Sequence, residues 1–530
     1  MKKWLPVIIL AFAQFVMVLD STVMNVSIST VVKDLNTTVT SMQTAITFYT
    51  LTMAALMLLG GKLGDVWGRK RALMIGASIY ALGSLITGLS QGFTMLFVGW
   101  SVIEGLGAVL VIPAIAALTA TNYKGQDRLK AYAIIGAVAG AAAAAGPLIG
   151  GYVTTYLDWR YVFFAEVFIM IGVLLSMRFI ADAKREAKVP KIDISSVLLS
   201  STGLVLMVYG LLQSKTWGLI TPRAIPTVNG HEIAPFGISI VAYLIIVGIA
   251  LLYIFYGRQK KLEAANKNPL VRVSMLKIPQ LRSGLGVLMA QYLVIGAVFF
   301  VMPIYLQMTL GLDALATGMR ILPLSIALVL GSVYGASIAS KKTPKRIVRT
   351  GQYALVLGVL VLVASISIDL RGWLFSTGMF VVGLGLGLLA SQLGNINMSA
   401  VSERDGSEVG GMQGVFQNLG SSMGTAIIGS IMVGALTTSF VGSVQSSSLP
   451  NNIKQYVQDN STAGVAIVSV TQVQDYAVSQ GVSESDAQTL SDTYAQSQID
   501  SLRTSLFTLF VVSLLMVTLS RNIPDILPKR

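Results

Sequence analysis

Along most of this chain apolar residues run together in blocks of about 18 or more, broken by short polar stretches, rather than alternating at a short period. The hydrocarbon core of a bilayer is about 30 Å thick, so such blocks are read as membrane-crossing helices. Fourteen are predicted, over residues 5–30, 41–61, 72–90, 93–120, 131–155, 160–180, 195–213, 238–257, 284–309, 316–339, 352–369, 373–400, 412–440 and 502–520. The expected fold is an all-α polytopic membrane protein. Just before the last block, Ser483 with Asp486 resembles a capping box, and Ala487, Leu490 and Tyr494 then share one helical face. A short amphipathic helix is expected there, leading into the final span.

Composition agrees. Of 530 residues 54% are hydrophobic and only 12% charged, about half the roughly 25% of a soluble domain. The absence of cysteine excludes thiol catalysis, thiolate zinc and disulfides together, and the single histidine, His231, cannot supply a multi-histidine metal site. GGKLGD, the piece nearest a phosphate loop, lacks the hydroxyl residue after its lysine, and GLGLGLLASQLGNIN lies inside a span without the context of a dinucleotide loop. No cofactor, no metal and no enzymatic activity are expected, and an ion gradient is the expected energy source.

The net charge of +14 is placed by topology. An even number of spans puts both termini on one side, and the segments on that side carry 30 of the 38 Lys and Arg residues. Positive loops face the cytoplasm, so both termini are expected there, in a cell membrane, with no role for nucleic acid. MKKWLPVIILAFAQ is similar to a secretory signal, but its apolar run continues to about residue 30, so cleavage is not expected. Long basic linkers at 181–194 and 258–283 bracket two helices that lack intramembrane charge. The expected organisation is a six-helix bundle (1–190), a two-helix insert (191–262) and a second six-helix bundle (263–530). The second bundle includes a polar extracellular segment, 441–501, with six acids against Lys454. Short basic loops after spans 2 and 10 echo each other, as in the paired repeats of transporters.

Three features carry candidate chemistry. In the loop after span 2, Gly61, Gly64 and Gly68 permit close approach and a tight turn, and Asp65 can pair with Arg69 four residues on, beside Lys70. In span 5, Gly136, Gly140, Gly146, Gly150 and Gly151 admit a neighbouring backbone and Pro147 favours a bend. Asp20, Glu104 and Glu166 are the acids inside apolar spans, with no lysine or arginine deep in a span to neutralise them. An intramembrane charge costs about 2.5–3.5 kcal/mol on insertion scales, so these are functional candidates by default. Met17 and Met24 share a face with Asp20, and Phe97 and Trp100 share one with Glu104. Thioethers and rings beside a carboxylate suit a lipophilic cation, although such stripes also occur as ordinary packing.

In order along the chain, these stretches resemble the major facilitator superfamily, and within it the fourteen-helix drug:proton antiporters. G-x-L-x-D-x-x-G-R-[KR] is similar to that superfamily's loop after helix 2, LDSTVMNVSI (19–28) to the antiporters' helix 1 motif, and GPLIGG (146–151) to their antiporter motif in helix 5. The resemblance implies a conformational latch at Gly61, Asp65, Gly68, Arg69 and Lys70, and a state-dependent packing surface at Gly146, Pro147, Gly150 and Gly151. Two departures stand out. Ser101 replaces an arginine and Glu104 a glutamine of the helix 4 motif, and Glu166 stands where asparagine is usual in helix 6.

The expected function is proton-coupled export of amphiphilic, cationic compounds by a monomer in the lipid bilayer, through alternating access. One alternative is transport of a lipid-like or other non-drug metabolite. Another is a non-transporting membrane protein that binds a partner through 441–501. Asp20 is expected in the outer half of the bilayer and Glu104 near the midplane, sharing one vestibule. Glu166, on a peripheral helix, is expected to stand apart.

Overall fold

The computed structural model describes residues 2–182, 192–222, 225–228, 231–401, 406–461 and 464–525. Most of the first basic linker, Arg404 and the last five residues lie outside this set. Fourteen of its helices are long and apolar enough to cross a membrane. We number them α1 (Leu5–Asp34), α2 (Val39–Trp67), α3 (Arg69–Gly88), α4 (Phe93–Asn122), α5 (Gly125–Tyr156), α6 (Arg160–Phe179) and α7 (Ile194–Trp217). They continue as α8 (Ile240–Ala264), α9 (Pro279–Thr309), α10 (Ala314–Ile338), α11 (Pro344–Ser365), α12 (Gly372–Met398) and α13 (Gly406–Ser446). Two short helices, α14 (Asn451–Asn460) and α15 (Val470–Ser479), precede the last span, α16 (Glu484–Asn522).

Helix starts follow local chemistry. Thr38, Asp313 and Thr343 accept hydrogen bonds from Ser41 N, Ala316 N and Arg346 N, each satisfying an orphan donor of a first turn. Pro279 and Pro344 sit in first turns, where a missing N–H costs nothing. The Thr343–Pro344 start opens α11 eight residues before the expected boundary, carrying Lys345, Arg346 and Arg349 on a helical extension. The expected amphipathic helix and the final span are one continuous helix: Ser483 caps it, and Ala487, Leu490 and Tyr494 are buried along it. The full capping box lies at Ser469 and Gln472, one helix earlier.

Lipid offers no hydrophobic drive between helices, so close backbone approach supplies the packing. Methyl groups on Gly383 or Gly387 of α12 would collide with the Leu324 and Leu328 carbonyls of α10. Helices α1 to α6 pack mainly on one another, as do α9 to α13 with α16. Two seams join the groups. Along the first, α2 meets α13: Gln43 Nε2 donates to Thr425 O (3.0 Å) and Ser422 Oγ to Thr47 O (3.2 Å). Along the second, α5 meets α10. The insert helix α7 lies over the first seam. Its Ser201 donates to Ala55 O of α2 (2.9 Å), while Ser430 of α13 donates to Leu211 O of α7 (3.3 Å).

One end of the bundle carries the basic loops and both described chain ends. There Trp4 stacks on Tyr123, and Lys345 N donates to Pro524 O. At the opposite, acidic end, α14 packs against α13 and α15 against α16. Tyr494 packs edge-on against Phe440, and its hydroxyl donates to Ala466 O (2.7 Å).

Candidate functional site

Asp20 lies midway along α1, Glu104 midway along α4 and Glu166 near the first third of α6. Their side chains are brought together, with one carboxylate oxygen of each within 4.8 Å of the others. The residues are 1%, 0% and 0% exposed. This overturns the expected separation of depths and the expected isolation of Glu166. Asp20 stands at the middle of α1, level with the other two acids. Helix α6 turns Glu166 inward against α3. The glycine signal for that approach was present in α3: a methyl on Gly83 would lie 2.6 Å from Glu104 N, so α3 and α4 are pressed together at this height.

The hydrogen-bond donors are unevenly shared. Trp100 Nε1–H reaches both oxygens of Asp20, at 2.9 and 3.0 Å. Ser84 Oγ and Tyr80 Oη donate to Glu166 Oε2, at 3.1 and 3.4 Å. Neither oxygen of Glu104 has a hydrogen-bond partner, nor does Glu166 Oε1. None of the ion pairs among the described residues involves these three acids. Ser101, where the resemblance leads one to expect arginine, donates to Ala45 O instead (2.8 Å). Two unit charges 4.8 Å apart repel by about 3.5 kcal/mol at an effective dielectric constant near 20. The site therefore disfavours more than one charged carboxylate at a time.

Residues 97–104 of α4 form a wide helical turn, a geometry concentrated at functional sites. The extra residue per turn rotates Phe97 off the face of Trp100 and Glu104. Phe97 meets Phe48 edge-on at 5.4 Å, and Phe48 meets Tyr209 of α7. Trp100 stacks on Tyr49 at 5.0 Å. Phe97 thus belongs to an aromatic seam with the insert, whereas Trp100 is a partner of Asp20. Met17 and Met24 are buried in the core.

At the basic end, Asp65 Oδ1 pairs with Arg69 Nη2 at 3.3 Å. Gly68 joins α2 to α3 with φ of 95°, a left-handed geometry that favours glycine. The close approach comes from Gly60, where a methyl would strike Val109 of α4; a methyl on Gly61 would meet nothing within 4 Å. Lys70 ties the loop to the end of α6, its Nζ donating to Ile180 O (3.0 Å). A cavity of about 110 Å³ opens beside the loop. Gly61, Lys62 and Asp65 line it from the first group of helices and Arg272 and Glu408 from the other side.

Helix α5 divides its glycines between two neighbours. Gly146 and Gly150 press on Thr22 and Val23 of α1. Gly151 presses on α10, where a methyl would lie 2.6 Å from Ala314 O, and Gly318 of α10 presses back on the Pro147 carbonyl. Leu315 N donates to Thr155 Oγ1 (3.0 Å). The contact fades toward the basic end, where a methyl on Gly140 would be 3.9 Å from Val329 and one on Gly136 would meet nothing. Gln307 of α9, which carries no sequence signal, closes the same acidic end by donating to Val26 O (2.6 Å) and accepting from Ser29 N (3.2 Å).

The sequence matches the Major Facilitator Superfamily over residues 10–425. Among its relatives, the "Probable actinorhodin transporter" of Streptomyces coelicolor is 26% identical over 450 residues, covering 84% of this chain and 75% of that protein. A puromycin resistance protein of Streptomyces alboniger is 26% identical over 445 residues, 82% of each chain. In fold, the chain is similar to an auto-inhibited POT family peptide transporter, with a TM-score of 0.60 at 12% identity, covering 100% of this chain and 98% of that one. The fourteen-helix chain with its buried carboxylates therefore belongs to the major facilitator superfamily of transporters.

Proposed function

We propose that this transporter exports amphiphilic, cationic compounds in exchange for protons, and that residues 1–190 rock against 263–530 while the insert 191–262 spans their seam. The observation that carries the reading is the cluster of three fully buried acids with no paired cation among the described residues. Such a group exchanges charge with the medium by taking and losing protons as the helices around it open. With the basic end in the cytoplasm, the tight α5–α10 contact at the acidic end corresponds to a state closed toward the outside. Asp65 and Arg69 act as the latch that favours one state, and Gly146, Pro147, Gly150, Gly151 and Gly318 form the surface that must part in the other. The protein works as a monomer in the cell membrane.

A non-cationic substrate is favoured by one observation. The acids lie between α1, α3, α4 and α6 rather than along a seam between the halves, so substrate charge need not be read directly by them. Proteoliposomes loaded with ethidium, with an uncharged amphiphile or with an anionic one, under an imposed pH gradient, test both readings. Gradient-driven ethidium movement that stops with a protonophore supports the proposal. Gradient-driven movement of only the uncharged or anionic compound assigns the second reading, and movement of none of them with the gradient contradicts proton coupling.

A further inference from the structure

The uneven supply of donors in the carboxylate cluster bears on how many protons it holds. Five helices wall it. Asp20 comes from α1, Tyr49 from α2, Tyr80 and Ser84 from α3, Trp100 and Glu104 from α4, and Glu166 from α6. These are the titratable and polar groups that face it, and none is cationic. Asp20 has an N–H donor on both oxygens, so it is the carboxylate suited to charge. Glu166 has two hydroxyl donors on one oxygen and none on the other. Glu104 has no donor of good geometry on either oxygen, with Tyr80 and Glu166 as its nearest polar neighbours, so it is the carboxylate least suited to charge. Tyr49 supplies an independent sign that the cluster holds hydrogen-bond capacity still to be met. Its buried hydroxyl makes no hydrogen bond of good geometry and lies beside Asp20, within reach of that carboxylate.

We propose that Asp20, Glu104 and Glu166 form one proton store that holds two protons in this closed state, on Glu104 and Glu166 with Asp20 charged, and carries both across in each cycle. The inference rests on the proton-coupled reading above and fixes its stoichiometry. With three carboxylates charged, every pair would be an uncompensated like-charge contact; with two charged, one such contact remains. A single charge, on the oxygens that Trp100 solvates, leaves none. Protonated Glu104 and Glu166 become donors, which gives the unpartnered oxygens around them something to accept. In the state open to the basic end, water reaches the cluster and both protons depart to it. Reloading from the acidic end returns two.

Infrared spectroscopy of the purified protein in ester-free detergent near neutral pH tests this without any substrate. The remaining acids lie in loops or at span ends, so the carboxylic-acid C=O band that shifts in heavy water reports the buried cluster. Wild type should show the amplitude of two acids. Glu104→Gln and Glu166→Gln should each keep half of it, Asp20→Asn should keep all of it, and Glu104→Gln/Glu166→Gln should lose it. A wild-type band equal to that of either single glutamine variant means one proton and overturns the proposal. No wild-type band also overturns it; if a band then appears after a chelator, the cluster holds a divalent cation instead. Should one variant fail to fold, the ratio of wild type to the other single variant still decides. The flux experiment above fails separately: two acids with no gradient-driven transport would contradict the coupling and not the store.

Discussion

In the proposed proton store Glu104 is the pivotal residue, because neither of its buried oxygens has a hydrogen-bond donor of good geometry. Glu104→Gln keeps the shape and removes the titrating group, so proton-driven transport is expected to fall more than about tenfold with little change in folded protein. Glu166→Gln should fall comparably, since the two acids share one cluster. Transport assays at matched membrane expression check both. An unaffected Glu166→Gln would restore the separate roles that helix position alone suggests. Identity was legible here and proximity was not. Asp20, Glu104 and Glu166 stand out because charge inside an apolar span is costly, but their meeting depends on the rotation of α6 and the wide turn in α4. Neither leaves a mark in hydropathy. The faint clue was the departure itself: an arginine lost from the helix 4 motif and two acids gained on helices that α3 draws together.

At the scale of elements, glycine spacing predicts contact better than it predicts which glycine makes it. Within the loop after α2, Gly68 makes the turn, while the close approach falls to Gly60, just before the motif. Asp65→Asn is expected to reduce turnover while leaving protein in the membrane, because the carboxylate partner of Arg69 is lost. Normal transport at normal expression would show the loop to be only a topology signal. Gly318→Ala inserts a methyl into the Pro147 carbonyl, an overpacking that costs about 1–3 kcal/mol. That cost falls only on the state closed at the acidic end, so the variant should shift toward the other state. Faster labelling of a cysteine placed at residue 155 would register the shift. The insert has its own tie: Asp193, at the start of α7, accepts from Arg258 Nε (2.6 Å) and Nη2 (2.8 Å) of α8. The Arg258 guanidinium holds the Asp193 carboxyl down at about 2, against 3.8 ordinarily. A depressed carboxyl contributes stability above its unfolded value and loses it as pH falls through the folded one. The α7–α8 tie should therefore persist through mild acid and release only between 3.8 and about 2. Pepsin nicking of the insert, followed as the pH is lowered, checks this, and Asp193→Asn should be nicked at higher pH.

For the molecule as a whole, span number was readable because membrane thickness acts on long windows. Helix boundaries were less readable: α1, α2, α8, α11, α13 and α16 all extend beyond their apolar blocks on polar residues that hydropathy cannot assign. In the polar stretch 441–501, expected as an extracellular segment with a short helix, α14 packs on α13 and α15 on α16, and the family assignment makes the chain a transporter. The contacts between the two groups of helices fall mainly at the α5–α10 contact with Gln307 at the acidic end and along the α2–α13 seam under α7, while the carboxylate cluster lies inside the first six helices. Helix α1 links the α5–α10 contact to the cluster, since it carries both Asp20 and the Thr22 and Val23 face that α5 presses on. The most direct test is ethidium flux in proteoliposomes driven by an imposed pH gradient, comparing wild type with Glu104→Gln. Export that follows the gradient in wild type and is lost in Glu104→Gln, with counterflow exchange of ethidium at equal pH retained, is the predicted result. Gradient-driven export that survives intact in Glu104→Gln would contradict it.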